Sequence, residues 1–286
     1  KIFVMLSLAN IVQLNLTKFF TFSIQNAAEG LITFKRLKDY LILTHSEKAQ
    51  KVTCVNQNPL NKDSTEQNVI VLNNASYSYG DSSSKAKNAK IVLSNLSFEV
   101  KSNELIGICG KVGSGKSSLL LSILGETVLE AGTIGGSFAS GKTSIGYAAQ
   151  EPWMRSATIR ENILFGADFD KVRYEQVLQA CALKEDLNSF EKGDETVVGE
   201  KGINLSGGQK ARVALARACY QNCSLYLLDD PLSAVDTIVA EHLFDQCIAK
   251  LLKSTTRVLV THQLQFLPRC DRVIILDDKD GSVKHI

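Results

Sequence analysis

The chain of 286 residues lacks a charge surplus: 32 Lys and Arg stand against 30 Asp and Glu, a formal net charge of +2. Without an excess of one sign there is no electrostatic footprint for a polyanion, so no nucleic acid is expected as a partner. Cysteine pairing is lacking too. The seven cysteines, Cys54, Cys109, Cys181, Cys219, Cys223, Cys247 and Cys270, include no Cys-x-x-Cys and form no paired framework. That excludes a disulfide scaffold and suits free thiols in a reducing cytosol. Cys219 and Cys223 stand four apart, close enough to share a helix face, but no histidine lies in ligand register. Packing is therefore their expected role rather than metal binding. No charged n-region, short apolar h-region and small-residue cleavage site occur in series, so residues 2–24 are not expected to be a secretory signal.

What is present is enough apolar residue, 44% of the chain, for a sizeable core. The chain starts at Lys1 and stops at Ile286 after a strand-like run, and it reads as a piece of a longer protein. Residues 2–24 are mostly apolar, about the ~20 residues that a helix needs to cross a bilayer. Asn10, Gln13, Asn15 and Lys18 interrupt them and should face other helices or a water-filled path. After Gly30 the stretch LITFKRLKDYLIL is amphipathic, and its Lys35, Arg36 and Lys38 place that end on the cytoplasmic side by the positive-inside bias. Residues 1–43 thus read as a membrane helix with a cytoplasmic extension, and residues 44–68, polar and without periodicity, as a linker.

From residue 69 to 286 short strand-like runs (VIVL, SFEV, ELIGIC, LYLLDD, TRVLVTH, RVIILD) alternate with helical stretches. Such alternation predicts an α/β domain with a largely parallel core sheet. The polar, lysine-rich segment 81–90 reads as a solvated loop between two early strands.

Within this domain ELIGIC runs into Gly110, Lys111, Val112, Gly113, Ser114, Gly115, Lys116, Ser117 and Ser118 and then a helix former. Strand, glycine-rich loop and helix follow in the order of a P-loop. Its backbone amides and the helix N-terminus cradle phosphate oxygens, Lys116 reaches the β and γ phosphates, and the Ser117 hydroxyl suits Mg²⁺. LYLLDD ends in two acids: Asp229 is placed to hold Mg²⁺ and Asp230 to orient an attacking water. Leu205, Ser206, Gly207, Gly208 and Gln209 precede a good helix former, and that turn offers helix N-terminal amides to an anion. Four Asn-x-Ser/Thr stretches, at Asn15, Asn74, Asn95 and Asn204, meet no glycosylation machinery in the cytosol.

The set GKVGSGKS, YAAQEPW, LSGGQ, YLLDDPLSAVD and VTH, in that order and spacing over residues 69–286, resembles an ABC transporter ATPase domain. ENILFG, ACALKEDL and VGEKGINLSGGQKARVALARA narrow the resemblance to the first such domain of the C subfamily, the multidrug resistance-associated proteins. The resemblance implies a P-loop NTPase core with a helical signature subdomain and an antiparallel β subdomain, preceded by a membrane helix. It also implies that Tyr79, ahead of the core with Tyr77 as its less apt neighbour, stacks on adenine. Gln150 becomes the residue touching Mg²⁺ and the membrane domain, and His262 a γ-phosphate contact. The LSGGQ turn, with Ser233, Ala234, Val235 and Asp236 of the D-loop, closes on ATP held by a second nucleotide-binding domain. Asp230 departs from the glutamate most active family sites carry, and that subfamily's first domain typically hydrolyses slowly. The expected activity is MgATP-driven export of organic anions or xenobiotics by a multi-pass membrane protein whose nucleotide-binding domain is cytoplasmic; the alternative is a nucleotide-gated regulator or channel of the same subfamily.

Overall fold

A computed structural model of the chain describes residues 2–44, 68–79, 91–140, 143–199, 202, 204–277 and 281–285. Two compact units emerge, Lys1–Ala49 and Gln50–Ile286. The predicted loop 81–90 and, apart from its end residues, the predicted linker 44–68 lie outside the described residues.

The first unit is one helix, α1 (Ile2–Thr44), of 43 residues. The apolar stretch and the amphipathic stretch, which read as separate segments, run on through Gly30 without a break. An internal glycine costs only ~1 kcal/mol against alanine and no proline stands nearby to stop the ladder. Ile2–Lys38 is long and apolar enough to cross a membrane, with a mean hydropathy of 1.4. Its large apolar side chains, Phe3, Leu14, Phe19 and Phe34 among them, are exposed. The Thr17 and Thr21 hydroxyls donate to the carbonyls one turn back, of Gln13 and Thr17. Those groups are satisfied without water, as an apolar solvent requires.

Among its described residues the second unit holds nine strands: β1 (Asn68–Ser78), β2 (Ile91–Lys101), β3 (Leu105–Cys109), β4 (Val128–Gly135), β5 (Ile145–Ala148), β6 (Leu225–Asp229), β7 (Thr256–Val260), β8 (Arg272–Leu276) and β9 (Val283–His285). An antiparallel sheet has the order β2-β1-β4, and a second sheet the order β5-β6-β7-β3-β8-β9. In the second sheet every pairing is parallel except β8 with β9. The largely parallel core is as predicted. LYLL and VLV read as unbroken hydrophobic runs because every residue of β6 and β7 is buried, with apolar packing on both faces. Leu225 and Leu227 join the core shared with β1 and β2, while Tyr226 and Leu228 join the core beneath the helices. Alternation at period two thus divides one strand between two cores.

Its described residues also form six α-helices: α2 (Lys116–Leu124), α3 (Ile159–Leu164), α4 (Lys171–Ala180), α5 (Lys184–Ser189), α6 (Gly207–Tyr220) and α7 (Thr237–His242), the last continuing as a π-helical stretch, Leu243–Leu251. Arg217 of α6 pins α3 from below, its Nε donating to the Asn162 carbonyl at 2.7 Å and its Nη2 to Asn162 Oδ1 at 2.9 Å. Arg173 of α4 binds the same C-terminal turn of α6, donating to the carbonyls of Tyr220 and Cys219 at 2.8 and 2.7 Å. Because α6 ends at Tyr220, Cys223 lies past it, and the expected Cys219/Cys223 helix face does not form. Cys219 instead meets Cys247.

Candidate nucleotide-binding site

The P-loop joins β3 to α2, and β3 lies beside β7, which lies beside β6. The P-loop, the Asp229–Asp230 pair and His262 therefore all emerge at carboxyl ends of neighbouring parallel strands, where open α/β sheets bind ligands. Glycine is required at defined points of the loop. Gly110, Gly113 and Gly115 have φ of 156°, 86° and 90°. A Cβ on Gly115 would stand 2.7 Å from Leu93 Cδ2, and one on Gly110 would meet the Leu276 carbonyl at 2.9 Å. Lys116 is buried, and its ammonium donates to the carbonyls of Gly110 at 3.0 Å and Lys111 at 2.7 Å, holding the loop around itself. Burial pulls the Lys116 pKa below the usual lysine value, and the carboxylates of Asp230 and Asp229 push back.

A cleft of about 220 Å³ opens over this loop, lined by Gly113, Gly115, Lys116, Ser117 and Ser118, with exposed Val112 at its rim. Gln150, Asp229, Asp230 and His262 form its other wall, and Val260 of the VTH run and Val92, which no motif marked, complete it. The residues present fit a phosphate chain. Gly115 caps α2 without a side-chain acceptor, so the first-turn amides have no competitor for an anion. Ser114 Oγ is buried with no hydrogen-bond partner of its own.

Asp229 is buried and hydrogen-bonded to the Ser117 side chain; burial raises its pKa above the ordinary carboxylate value, against which Ser117 and Lys116 act. A hydroxyl and a poorly solvated carboxylate side by side are oxygen donors of the kind a hard divalent cation takes. Asp230 sits at φ 47°, in the left-handed region. Asp and Asn adopt that region more readily than longer side chains. Its Oδ1 accepts from the His262 amide at 3.4 Å and its carbonyl from the Ser233 hydroxyl at 2.8 Å, tying the acid to the D-loop and to the end of β7. Of the two tyrosines, Tyr77 is 1% exposed inside the core, whereas Tyr79 is 50% exposed and donates to Ser118 Oγ at 3.0 Å. Tyr79 alone is available beside the phosphate loop.

The remaining predicted residues lie elsewhere. None of Leu205–Gln209 and none of Ser233–Asp236 lines the cleft. Ser206 caps α6 through a reciprocal box: its hydroxyl accepts from the Gln209 amide at 3.2 Å, and Gln209 Oε1 accepts from the Ser206 amide at 2.9 Å. That leaves the amides of Gly207 and Gly208 as the ones with no partner within the helix. A Cβ on Gly208 would lie 3.0 Å from the Ala234 carbonyl, so the signature turn and the D-loop are packed together. The Asp236 carboxylate accepts from the Ile238 and Val239 amides, capping α7. Asp186 carried no role in the sequence. Its Oδ1 accepts from Gln209 Nε2 at 3.0 Å and its Oδ2 from Arg212 at 2.6 Å, bracing the signature helix from α5.

Residues 93–233 match the ABC transporter family. Among curated proteins the chain is 41% identical over 283 residues to the human "ATP-binding cassette sub-family C member 4", covering 99% of this chain and 20% of the relative. It is 40% identical over 283 residues to "ABC transporter C family member 12" of Dictyostelium discoideum, with the same coverage. It is 41% identical over 269 residues to "Multidrug resistance protein mrp-7" of Caenorhabditis elegans, covering 92% of this chain and 17% of the relative. The chain spans about a fifth of the length of these relatives. With a phosphate cradle and a signature helix on a parallel sheet, the chain belongs to the ABC transporter family and carries an ATP-binding domain of its C-subfamily kind.

Proposed function

We propose that residues 69–286 form one half of a two-site ATPase that drives export of organic anions or xenobiotics across a membrane, with α1 as the last helix of the preceding membrane domain. The observation that carries this reading is the separation of the P-loop cleft from the signature turn. Lys116, Asp229, Gln150 and His262 share one cleft, whereas Ser206 and Gly207 do not reach it. A second nucleotide-binding domain supplies the missing turn, and this chain's own Ser206–Gly208 closes on the partner's nucleotide. The full relatives' "sub-family C" and "Multidrug resistance" names support a membrane pump with this domain in the cytosol.

In this scheme Lys116 and the P-loop amides hold the β and γ phosphates, and Tyr79 stacks on adenine. Ser117, Asp229 and Gln150 hold Mg²⁺, which supplies charge neutralisation along the phosphates when bound. His262 contacts the γ-phosphate and Asp230 positions the water. Asp230 is one methylene shorter than glutamate, so the site retains ATP and hydrolyses it slowly. Its left-handed backbone adds that a longer side chain is introduced at some conformational cost.

MgATP affinity and phosphate release, measured side by side on the chain in detergent with Lys116→Ala as binding control, test the reading. Tight binding with almost no release supports a retained-nucleotide site; brisk turnover without a partner domain overturns the two-site scheme. Asp230→Glu is expected to raise turnover, and an unchanged rate in a folded variant refutes the short-side-chain explanation.

A further inference from the structure

Behind the signature helix, three sulfurs from three elements converge. Cys181 ends α4, Cys219 lies in α6 and Cys247 in the π-helical stretch. Cys247 Sγ lies 3.4 Å from Cys219 Sγ and 3.9 Å from Cys181 Sγ, and all three lie within 4.8 Å of one another. The point equidistant from three sulfurs so spaced is about 2.1–2.4 Å from each, which brackets the ~2.3 Å of a zinc–thiolate bond. Each residue is at most 1% exposed, in the apolar core beneath the helices. The π-helical stretch that delivers Cys247 is a rare conformation, frequent at functional sites.

Three features of this pocket select among soft ions. No fourth Cys, His, Asp or Glu joins the group among the described residues, which disfavours an ion needing four ligands. Hydrogen bonds among the sulfurs, acting in both directions, leave all three thiols above their ordinary range together with burial. The nearby cations are already engaged: Arg212 with Asp186, and Arg173 with the carbonyls of Cys219 and Tyr220. Three thiolates around a monovalent or divalent ion leave net negative charge in an apolar core, which is costly. Around a trivalent ion they leave none.

We propose that Cys181, Cys219 and Cys247 form a binding site for a trivalent, thiol-seeking oxyacid of the arsenous acid class, held as an uncharged three-coordinate tris-thiolate. Three As–O bonds and three S–H bonds break, three As–S bonds form, and the three hydroxides leave with the three protons as water. Arsenic remains trivalent and no electron is transferred. Entry requires transient parting of α4, α6 and the π-helical stretch, so loading is slow in the folded chain and fast during refolding.

The test incubates the chain in detergent with arsenous acid, folded or during refolding, and then reads native mass and thiol alkylation after denaturation. One arsenic per chain is expected, with Cys181, Cys219 and Cys247 protected as a set. Cys247→Ala should weaken binding more than tenfold and Cys181→Ala likewise, while Cys223→Ala leaves it unchanged. No adduct after refolding, protection of other cysteines, an undiminished adduct in a folded Cys247→Ala chain, or preferential capture of Zn²⁺ each overturns the proposal. Because protection is read on the unmutated chain, misfolding of a variant does not obscure the result.

Discussion

The two glycine-rich turns of this domain both lead into a helix, yet they are finished in opposite ways. At the P-loop, Gly115 caps α2 from the left-handed region with no side-chain acceptor, and the Ser114 hydroxyl is buried without a partner. At the signature turn, Ser206 and Gln209 cap α6 reciprocally, and Asp186 braces Gln209 and Arg212. The first helix start is left for an anion on its own chain; the second is complete as a fold and offers only the amides of Gly207 and Gly208. A helix terminus has a fixed number of orphan donors, and each one met by a side chain is one fewer for a ligand.

Substitutions sharpen that contrast, beginning with the largest effect. Lys116→Ala removes a buried charge from the cradle and is expected to weaken ATP binding by about 3 kcal/mol, or roughly a hundredfold, as measured by nucleotide titration. Ser206→Ala should leave the same titration unchanged, and a loss there would mean that the signature turn serves its own P-loop. Gly115→Ala forces a side chain into φ 90° and against Leu93. The strain is about 2 kcal/mol, visible as a lower Tm in thermal denaturation. On the signature side, Ser206→Ala loses one cap and should cost about 1 kcal/mol of unfolding free energy in urea. Gly207→Ala is the smallest: a Cβ there meets nothing within 4 Å. A stability change within about 0.5 kcal/mol is expected, together with unaltered ATP binding. A larger change would show that the turn is not free on its outer side.

Much of this site was legible in the sequence because its chemistry is local. Leu105 to Leu124 form a contiguous strand, loop and helix, and the LYLLD run announces a buried strand whose acids must lie at its end. Tyr79 was preferred over Tyr77; Tyr77 lies in the last stretch of β1, where Ala75 to Ser78 are all buried, and Tyr79 follows it half exposed. Other features depend on distant segments. Cys181 and Cys247 are 66 residues apart, and Cys219 and Cys247 are 28 apart, so no spacing rule brings them together. Asp186 reads as one more acid in a charged helix until α5 is set against α6. The continuity of α1 through Gly30 was hidden by a change in polarity that does not interrupt helical hydrogen bonding.

By itself, then, the sequence determined the class of fold, the phosphate loop, the position of the paired acids and the family, because each rests on residues near one another along the chain. Only the tertiary structure decided which residues share a cleft, that the signature turn stands outside it, and that three cysteines meet in the core. Those outcomes depend on strand order and helix packing, where residues far apart in sequence are brought together by burial rather than by spacing.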